Sequence, residues 1–280
     1  MRKLCVDILE RMARYLHGHA PSVLASHTVR TAENSCGYLL PHLREGMRVL
    51  DVGCGPATIT LDLAALVGPS GQVTGLELFE ETLELGRTEA SRRGDDRTRF
   101  EAADVMALPY DDGSFDVVHA HQVLQHLTDP VAALREMWRV LAPGGVLAAR
   151  DADYAEMSWY PQPRELDRWR ELYLAVAHAN EATPDAARHL RAWARAAALE
   201  NIKLGASTWT YADEETCAWW GKLWQKRALT SRFTEEVLER ELAGQDELEA
   251  ISHAWQAWGS DPDAMFIMTH GELLAFRQAN

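Results

Sequence analysis

Apolar stretches typical of buried strands alternate with helix-like stretches from residue 48 to residue 150. The strand-like stretches cover residues 48–52, 72–76, 98–102, 115–121 and 146–150. Apolar runs of this kind suit parallel strands that are buried on both faces. Strands that alternate with helices along the chain are the pattern of a doubly wound sheet. This part of the chain therefore predicts an α/β fold with a mostly parallel sheet.

The remainder of the chain is mainly helical in pattern. Residues 1–45, 165–180, 186–199 and most of 212–262 predict helices, whereas 201–211 and 271–277 predict strands. Asp129-Pro130 is typical of a helix start, and Pro143-Gly144-Gly145 of a stop beyond that helix. We expect three parts: a helical cap at 1–45, a core at 46–151, and a last part at 152–280. That last part would complete the core and carry a helical lid at about 154–182 and 212–262.

Composition narrows the classes of partner. The formal net charge of −14 over 280 residues argues against nucleic acid and anionic membrane surfaces, which both require basic patches. No run of about 18 apolar residues is present, and the first residues lack the apolar centre of a signal peptide. The four cysteines lie far apart, which suits a reducing compartment. We expect a cytoplasmic protein that acts on a small molecule, and a homodimer is left open.

The turn after the first strand carries two glycines. Gly53 and Gly55 allow a ligand to approach the backbone with no side chain between them. Residues 58–67 then predict a helix, whose N-terminus, the positive end of its dipole, would face that ligand. In an open α/β sheet, this position at the carboxyl ends of the strands holds a nucleoside-type cofactor. Because several nucleotide-binding families share such a turn, residues further along must identify the cofactor.

Two carboxylates follow the next two strands. Glu77 ends the second strand, 26 residues after Asp51, and can accept hydrogen bonds from both hydroxyls of a ribose. Asp104 follows the third strand and can accept a hydrogen bond from the exocyclic amine of an adenine, while the backbone at Val105 serves a ring nitrogen. These positions predict an adenosine site.

The ordered motifs resemble one large enzyme family. They are Arg48-Val-Leu-Asp-Val-Gly-Cys-Gly-Pro-Ala-Thr58, Glu77, Asp104-Val105, His121-Gln-Val-Leu-Gln-His-Leu127, and Leu134 to Gly145. Over about residues 46–151 the chain is similar to class I S-adenosylmethionine-dependent methyltransferases. It is closest to the small-molecule branch of ubiquinone/menaquinone C-methyltransferases and natural-product O-methyltransferases. The resemblance implies a Rossmann-like, seven-stranded sheet, the cofactor S-adenosyl-L-methionine, and a role in secondary metabolite biosynthesis.

The resemblance also implies roles for individual residues. Gly53 and Gly55 would line the methionine end of the cofactor, Glu77 the ribose, and Asp104 with Val105 the adenine. The full set of implied cofactor-binding residues is Asp51, Gly53, Cys54, Gly55, Glu77, Leu78, Asp104, Val105, His121, Tyr15 and Arg30. Tyr15, His27 and Arg30 resemble the segment that folds over the cofactor in relatives, where Arg30 would pair with its carboxylate. Ala57 stands where the family usually has a third glycine, which we expect to reshape the turn modestly.

In the sugar and polyketide O-methyltransferases of this branch, a histidine after strand four and an aspartate after strand five remove the proton from the acceptor. The matching residues here are His126 and Asp151, with His121 as a second candidate base and Asp153 as a second acid. A base is needed when the acceptor is a hydroxyl. The implied acceptor is a small, apolar or aromatic metabolite, methylated on oxygen in first preference, then carbon, then nitrogen.

Other interpretations of the same residues remain. His119, His121 and His126 lack a further ligand at suitable spacing, so we predict no metal site. A nicotinamide-dependent dehydrogenase is disfavoured because no tyrosine is followed four residues later by lysine. Proteins of this fold also use the cofactor structurally for another reaction, which nothing in the chain excludes. The ten tryptophans are most simply core residues, although some could line a pocket for an aromatic acceptor.

Overall fold

A computed structural model describes residues 26–279. The chain forms two compact units. The first, which we call the sheet unit, comprises His27–Ala152, Ala186–Ser207 and residues 270–279. The second, which we call the helical unit, comprises Asp153–Asp185 and Thr208–Thr269, with Ser26.

The sheet unit alternates strands and helices as the pattern predicts. Its elements are α1 (Ala32–Cys36), β1 (Arg48–Val52), α2 (Thr58–Val67), β2 (Gln72–Glu77), α3 (Glu80–Arg93), β3 (Arg99–Ala102), β4 (Phe115–His121), α4 (Pro130–Val140) and β5 (Leu141–Ala152). Short 3₁₀ helices lie at Leu40–His42, Leu124–His126 and Ala186–His189. The last of these leads into α6 (Leu190–Ala196), so the helix expected at 186–199 is shorter and begins as a 3₁₀ turn.

The parallel part of the sheet runs in the order β3-β2-β1-β4-β5. β1 lies between β2 and β4, with Asp51 opposite Gly75 on one side and His119 on the other. β8 (Met265–Phe276) joins β5 antiparallel, with Ala152 opposite His270. Apolar clusters cover both faces: Leu50 and its neighbours on one face, Val49 and its neighbours on the other. The α/β prediction with a mostly parallel sheet is confirmed.

The bounds of β5 and the strand count differ from the prediction. β5 begins at Leu141, directly after α4, so Pro143-Gly144-Gly145 lies inside the strand and not in a loop. The register between β4 and β5 shifts after Phe115, and an irregularity of this kind accommodates a proline and glycines in a strand. The sheet has eight strands, not seven. The added strand β6 (Ser158–Tyr160) has three residues, too few for a period in the sequence.

The helical unit is built on aromatic packing. Its helices are α5 (Arg164–Ala179), α7 (Glu214–Thr230), α8 (Arg232–Glu239) and α9 (Gln245–Trp258). The second half of β7 (Lys203–Tyr211) also belongs to this unit. The ring centroid of Trp169 lies 4.5 Å from that of Trp224 and 4.9 Å from that of Trp255. Six tryptophans are buried here: Trp159, Trp169, Trp220, Trp224, Trp255 and Trp258. They form a core, and a pocket-lining role for some of them stays a prediction.

Within residues 26–279, no helix combines the length and apolar character that a bilayer crossing requires. In that part of the chain no three histidine, cysteine, aspartate or glutamate side chains are grouped as metal ligands.

Candidate cofactor and catalytic site

Asp51 anchors the end of β1 beneath the glycine turn. Its carboxylate is buried and accepts a hydrogen bond from Thr60 Oγ1 at 2.6 Å. Its other oxygen lies 2.7 Å from Nδ1 of the buried His119, on the neighbouring strand β4. The sequence predicts Asp51 as a cofactor residue, and in the structure both its oxygens are engaged inside the protein. Its contribution is therefore to hold the turn in place.

The glycine turn offers bare backbone, as the sequence predicts. Gly53 and Gly55 have φ angles of 67° and 53°, a region that L side chains rarely adopt. A Cβ on Gly53 would lie 2.4 Å from Cγ2 of Val123, whereas a Cβ on Gly55 would have, among residues 26–279, only His27 Nδ1 within 4 Å, at 3.9 Å. The Cys54 side chain is buried against Gly75, so Cys54 presents only its backbone. Among the described residues, the turn therefore leaves room for a ligand at Gly55.

Ala57 occupies the position of the third glycine with φ 63° and ψ 19°, which is left-handed backbone. Its methyl group is buried with Leu61, Ala90 and Phe100 between helices α2 and α3. The departure from the family pattern thus costs backbone strain, of about 1 kcal/mol, and adds a buried contact.

Glu77 is tied to the glycine turn by its carboxylate. Oε1 accepts a hydrogen bond from Gly55 N at 3.1 Å, and Oε2 accepts one from Leu78 N at 3.0 Å. Burial raises the pKa of Glu77, and the two backbone N–H groups oppose that rise. The residue predicted to hold a ribose therefore lies directly beside the bare backbone of the turn.

Asp104 lies one strand further along the same edge. β3 pairs in parallel with β2, with Ala102 opposite Glu77. Asp104 Oδ1 accepts a hydrogen bond from Met106 N at 2.9 Å, which fixes the loop after β3. The Val105 side chain is buried in the core, so Val105 offers a ligand its backbone only. This arrangement suits the contacts predicted for an adenine.

Arg30 reaches the end of β4 through Gln122, a residue that the sequence analysis did not single out. Arg30 Nη2 donates to Gln122 Oε1 at 2.8 Å. Gln122 Nε2 lies 2.8 Å from His270 Nε2, on β8. Gln122 has a φ of 54°, which is strained for a residue with a side chain. Tyr15, the other predicted cap residue, lies outside the described residues.

His126 follows the end of β4, whereas Asp151 is the penultimate residue of β5 and not, as expected, a residue after it. The two residues do not share a hydrogen bond. Asp151 Oδ1 accepts from Gln125 N at 3.1 Å, and its Oδ2 has no hydrogen-bond partner among residues 26–279. Gln125 connects the two predicted residues, because its Nε2 lies 3.1 Å from His126 Nε2 and its Oε1 accepts from Ala152 N at 3.1 Å. Gln125 was also missed, since nothing in a single sequence distinguishes it from a surface glutamine.

Burial moves the pKa values of these groups in opposite directions. It raises the pKa of Asp151 to about 7, against the opposing effects of the Gln125 N–H and the Arg150 charge. Burial, together with the charge of Arg30, lowers the pKa of His126 to about 4. At neutral pH His126 is therefore uncharged, and Asp151 is divided between its two forms.

The second candidate base, His121, and the second candidate acid, Asp153, belong to different units. His121 is buried at the end of β4 and stacks with His270 at a centroid distance of 6.3 Å. Burial holds the pKa of His121 well below its usual range, with Arg30 and Arg150 adding to the effect. Asp153 belongs to the helical unit, where its Oδ1 accepts from Glu156 N at 3.2 Å and caps the 3₁₀ helix Tyr154–Glu156.

Comparison with known proteins identifies the family. The model of a methyltransferase domain matches residues 43–226. An uncharacterized methyltransferase of Schizosaccharomyces pombe is 36% identical over 269 residues, which cover 93% of this chain and 95% of that protein. The chain belongs to the methyltransferase family. It is a class I enzyme whose cofactor is S-adenosyl-L-methionine.

Two further likenesses have different extents. Over 121 residues this methyltransferase is 36% identical to demethylmenaquinone methyltransferase of Lactococcus lactis, a match that covers 43% of this chain and 48% of that enzyme. The crystal structure of a putative methyltransferase from Bacillus halodurans superposes with a TM-score of 0.58 at 18% identity, covering 87% of this chain and 98% of that one. The latter likeness concerns the fold alone.

Proposed function

We propose that this methyltransferase transfers the methyl group of S-adenosyl-L-methionine to a small, apolar or aromatic metabolite. Oxygen is the favoured acceptor atom, then carbon, then nitrogen. The observation that carries the cofactor site is the hydrogen bond from Gly55 N to Glu77, which places a carboxylate beside bare backbone at the carboxyl end of the sheet. The likeness to a demethylmenaquinone methyltransferase supports an aromatic acceptor.

The residues present suit the cofactor at each of its ends. The backbone at Gly53 and Gly55 would lie along its methionine end, and Glu77 would accept hydrogen bonds from the ribose hydroxyls. Asp104 and the backbone at Val105 would hold the adenine. Arg30, which is fixed by Gln122, would pair with the carboxylate. When bound, the cofactor supplies a methyl group already activated on a sulfonium.

The protein must then align the acceptor and manage its proton. We assign the proton to His126, because it is neutral at pH 7 and lies after β4 at the carboxyl edge of the sheet. Asp151 accepts a hydrogen bond from the backbone N–H of Gln125 and so positions the segment that carries His126. His121 is too deeply buried to meet an acceptor without movement, which leaves it as a reserve candidate.

The reaction can be tested by incubating the enzyme with S-adenosyl-L-methionine and each of a panel of phenols, quinols, alcohols and amines. The quantity measured is the S-adenosylhomocysteine that is formed. We expect turnover with an aromatic hydroxyl, and His126→Ala should lower it strongly while the Kd for S-adenosylhomocysteine stays within about threefold. Equal turnover of wild type and His126→Ala would contradict the role of His126. Tight cofactor binding without turnover on any acceptor would favour a non-methylating use of the cofactor.

Cytoplasmic localisation, a homodimer and the absence of a nucleic-acid partner stay predictions from the sequence.

A further inference from the structure

Gln125 is held by three hydrogen bonds in a single orientation. The residue is buried, and its backbone N–H donates to Asp151 Oδ1 at 3.1 Å. Its side-chain Oε1 accepts from the backbone N–H of Ala152, at the end of β5, at 3.1 Å. A backbone N–H can only donate, so the oxygen of the amide must face Ala152. The amide nitrogen of Gln125 therefore faces His126.

The orientation of this amide determines which nitrogen of His126 carries the proton. Gln125 Nε2 is a donor only, and it lies 3.1 Å from His126 Nε2. His126 Nε2 must then be the acceptor, with its lone pair directed at Gln125. In a neutral imidazole the other nitrogen carries the proton. A protonated His126 would bring two N–H groups against each other, which adds to the effect of burial on this residue.

We propose that Gln125 is a positioning residue that holds His126 in the tautomer with its proton on Nδ1 and its lone pair on Nε2. Asp151 and Ala152 of β5 fix Gln125, and Gln125 fixes the imidazole. This assignment deepens the proposed function, on which its catalytic meaning rests: the nitrogen of His126 that can accept a proton is Nε2, and an acceptor hydroxyl must compete there with the Gln125 amide. The tautomer of His126 can be determined without measuring any enzymatic activity.

The substitution Gln125→Glu tests the assignment with little change in shape. A carboxylate at this position can still accept from Ala152 N, but its second oxygen demands a donor from His126. The proton of the neutral imidazole should then move to Nε2, and the pKa of His126 should rise because the new charge favours imidazolium. Gln256→Glu introduces the same charge on an exposed position of α9 and serves as the matched control.

Histidine side-chain ¹⁵N NMR spectra measure both effects on the full-length protein without substrate. Spectra of His126→Asn assign the signals. We expect a protonated, pyrrole-type Nδ1 for His126 in wild type and in Gln256→Glu, and a pyrrole-type Nε2 in Gln125→Glu, with a titration midpoint at least one pH unit higher. A wild-type proton on Nε2, or an unchanged tautomer in Gln125→Glu, would overturn the proposal.

A second variant and a binding measurement keep the result clear. Should Gln125→Glu fail to fold, Gln125→Met removes the amide donor, and His126 should then lose its preference for a protonated Nδ1. An Nδ1 preference that persists in this variant would also count against the proposal. The Kd for S-adenosylhomocysteine, measured by calorimetry, should stay within about threefold of wild type in all folded variants. Because no acceptor is needed, a failure here is distinct from a failure of the proposed methyl transfer.

Discussion

Glu77 is the side chain that joins the end of β2 to the glycine turn. Substitution Glu77→Ala removes the proposed acceptor for two ribose hydroxyls and leaves Gly55 N without its partner. Hydrogen bonds to a charged group are worth about 1.5–3 kcal/mol. We expect the Kd for S-adenosylhomocysteine to rise about 10- to 150-fold in isothermal titration calorimetry.

The exposed Glu81, in the first turn of α3, provides the control for that measurement. Glu81→Ala removes the same charge close to Glu77 in sequence and should leave the Kd unchanged. A Glu77→Ala variant that folds and binds as tightly as wild type would remove the assigned ribose contact.

Asp151 makes the stability of the fold depend on pH. Burial raises its pKa to about 7, so the folded state holds this proton more tightly than the unfolded chain does. The penalty of the buried charge is absent below about pH 4, grows as the pH rises, and is complete above about pH 7. We expect Asp151→Asn, which can still accept from Gln125 N, to remove this loss. Relative to wild type, the variant should gain about 2–4 kcal/mol in free energy of unfolding between pH 5 and pH 8.

Urea denaturation at several pH values gives that difference directly. Asp96→Asn, on an exposed turn, serves as the control because its charge is already in water. Parallel pH profiles for wild type and Asp151→Asn would show that the carboxyl does not titrate differently in the folded state.

Individual residues differ in how far the sequence predicts them. Glu77 and Asp104 could be placed at the carboxyl edge of the sheet, because Glu77 ends β2 and Asp104 lies two residues after β3. Parallel strands bring such positions to one edge of the sheet. Gln122 and Gln125 could not, because their roles depend on partners far along the chain. Gln122 meets Arg30 at a separation of 92 residues and His270 at 148 residues. Only the folded sheet brings these residues together.

At the scale of elements, α2 and α3 meet at a pair of small residues. A Cβ on Gly86 of α3 would lie 3.1 Å from the Ala57 Cβ and 2.9 Å from the ring of Phe100. The methyl group of Ala57 thus occupies space that a side chain at position 86 would need. A glycine at position 57 would leave that space empty.

A double-mutant cycle tests this exchange of one methyl group. Gly86→Ala alone should overpack the contact and destabilise the protein by about 1–3 kcal/mol. Ala57→Gly alone should be close to neutral, since relief of left-handed strain offsets the loss of a buried methyl. In the double variant we expect at least about 1 kcal/mol of the Gly86→Ala loss to be recovered. Strict additivity in thermal denaturation would rule out the contact between the two positions.

The bounds of a strand were predictable where an apolar run marks it in the sequence. β1 and β4 are such runs, and they have the expected bounds. The start of β5 was wrong, since proline and two glycines normally mark a turn, and here a register shift tolerates them. The short strand β6 depends on antiparallel pairing with residues 265–267 of β8, more than 100 positions away, which no local pattern records.

At the scale of the whole molecule, the proposed cofactor residues and the tryptophan core belong to different units. Gly53, Glu77 and Asp104 lie in the sheet unit, whereas Trp169 lies at the centre of the helical unit. Trp169→Ala should lower the free energy of unfolding by about 3–5 kcal/mol, because it empties a large buried volume. Trp169→Phe should cost less, since it keeps a ring and deletes an indole N–H that has no acceptor among residues 26–279.

Cofactor affinity separates a structural role for this core from a direct role in binding. In both Trp169 variants the Kd for S-adenosylhomocysteine, measured under conditions where they are folded, should stay within about threefold of wild type. A tenfold or larger increase in the Kd would show that the helical unit contributes to cofactor binding.

The distribution of tryptophans gives the protein an optical asymmetry. Eight of the ten fall in the ranges of the helical unit, and only Trp138 and Trp193 fall in the sheet unit. Intrinsic emission excited near 295 nm therefore reports chiefly on the aromatic core, whereas ellipticity from the peptide bonds reports on both units. Comparing the two signals along one denaturation curve would reveal, without any label, whether the units lose their structure together.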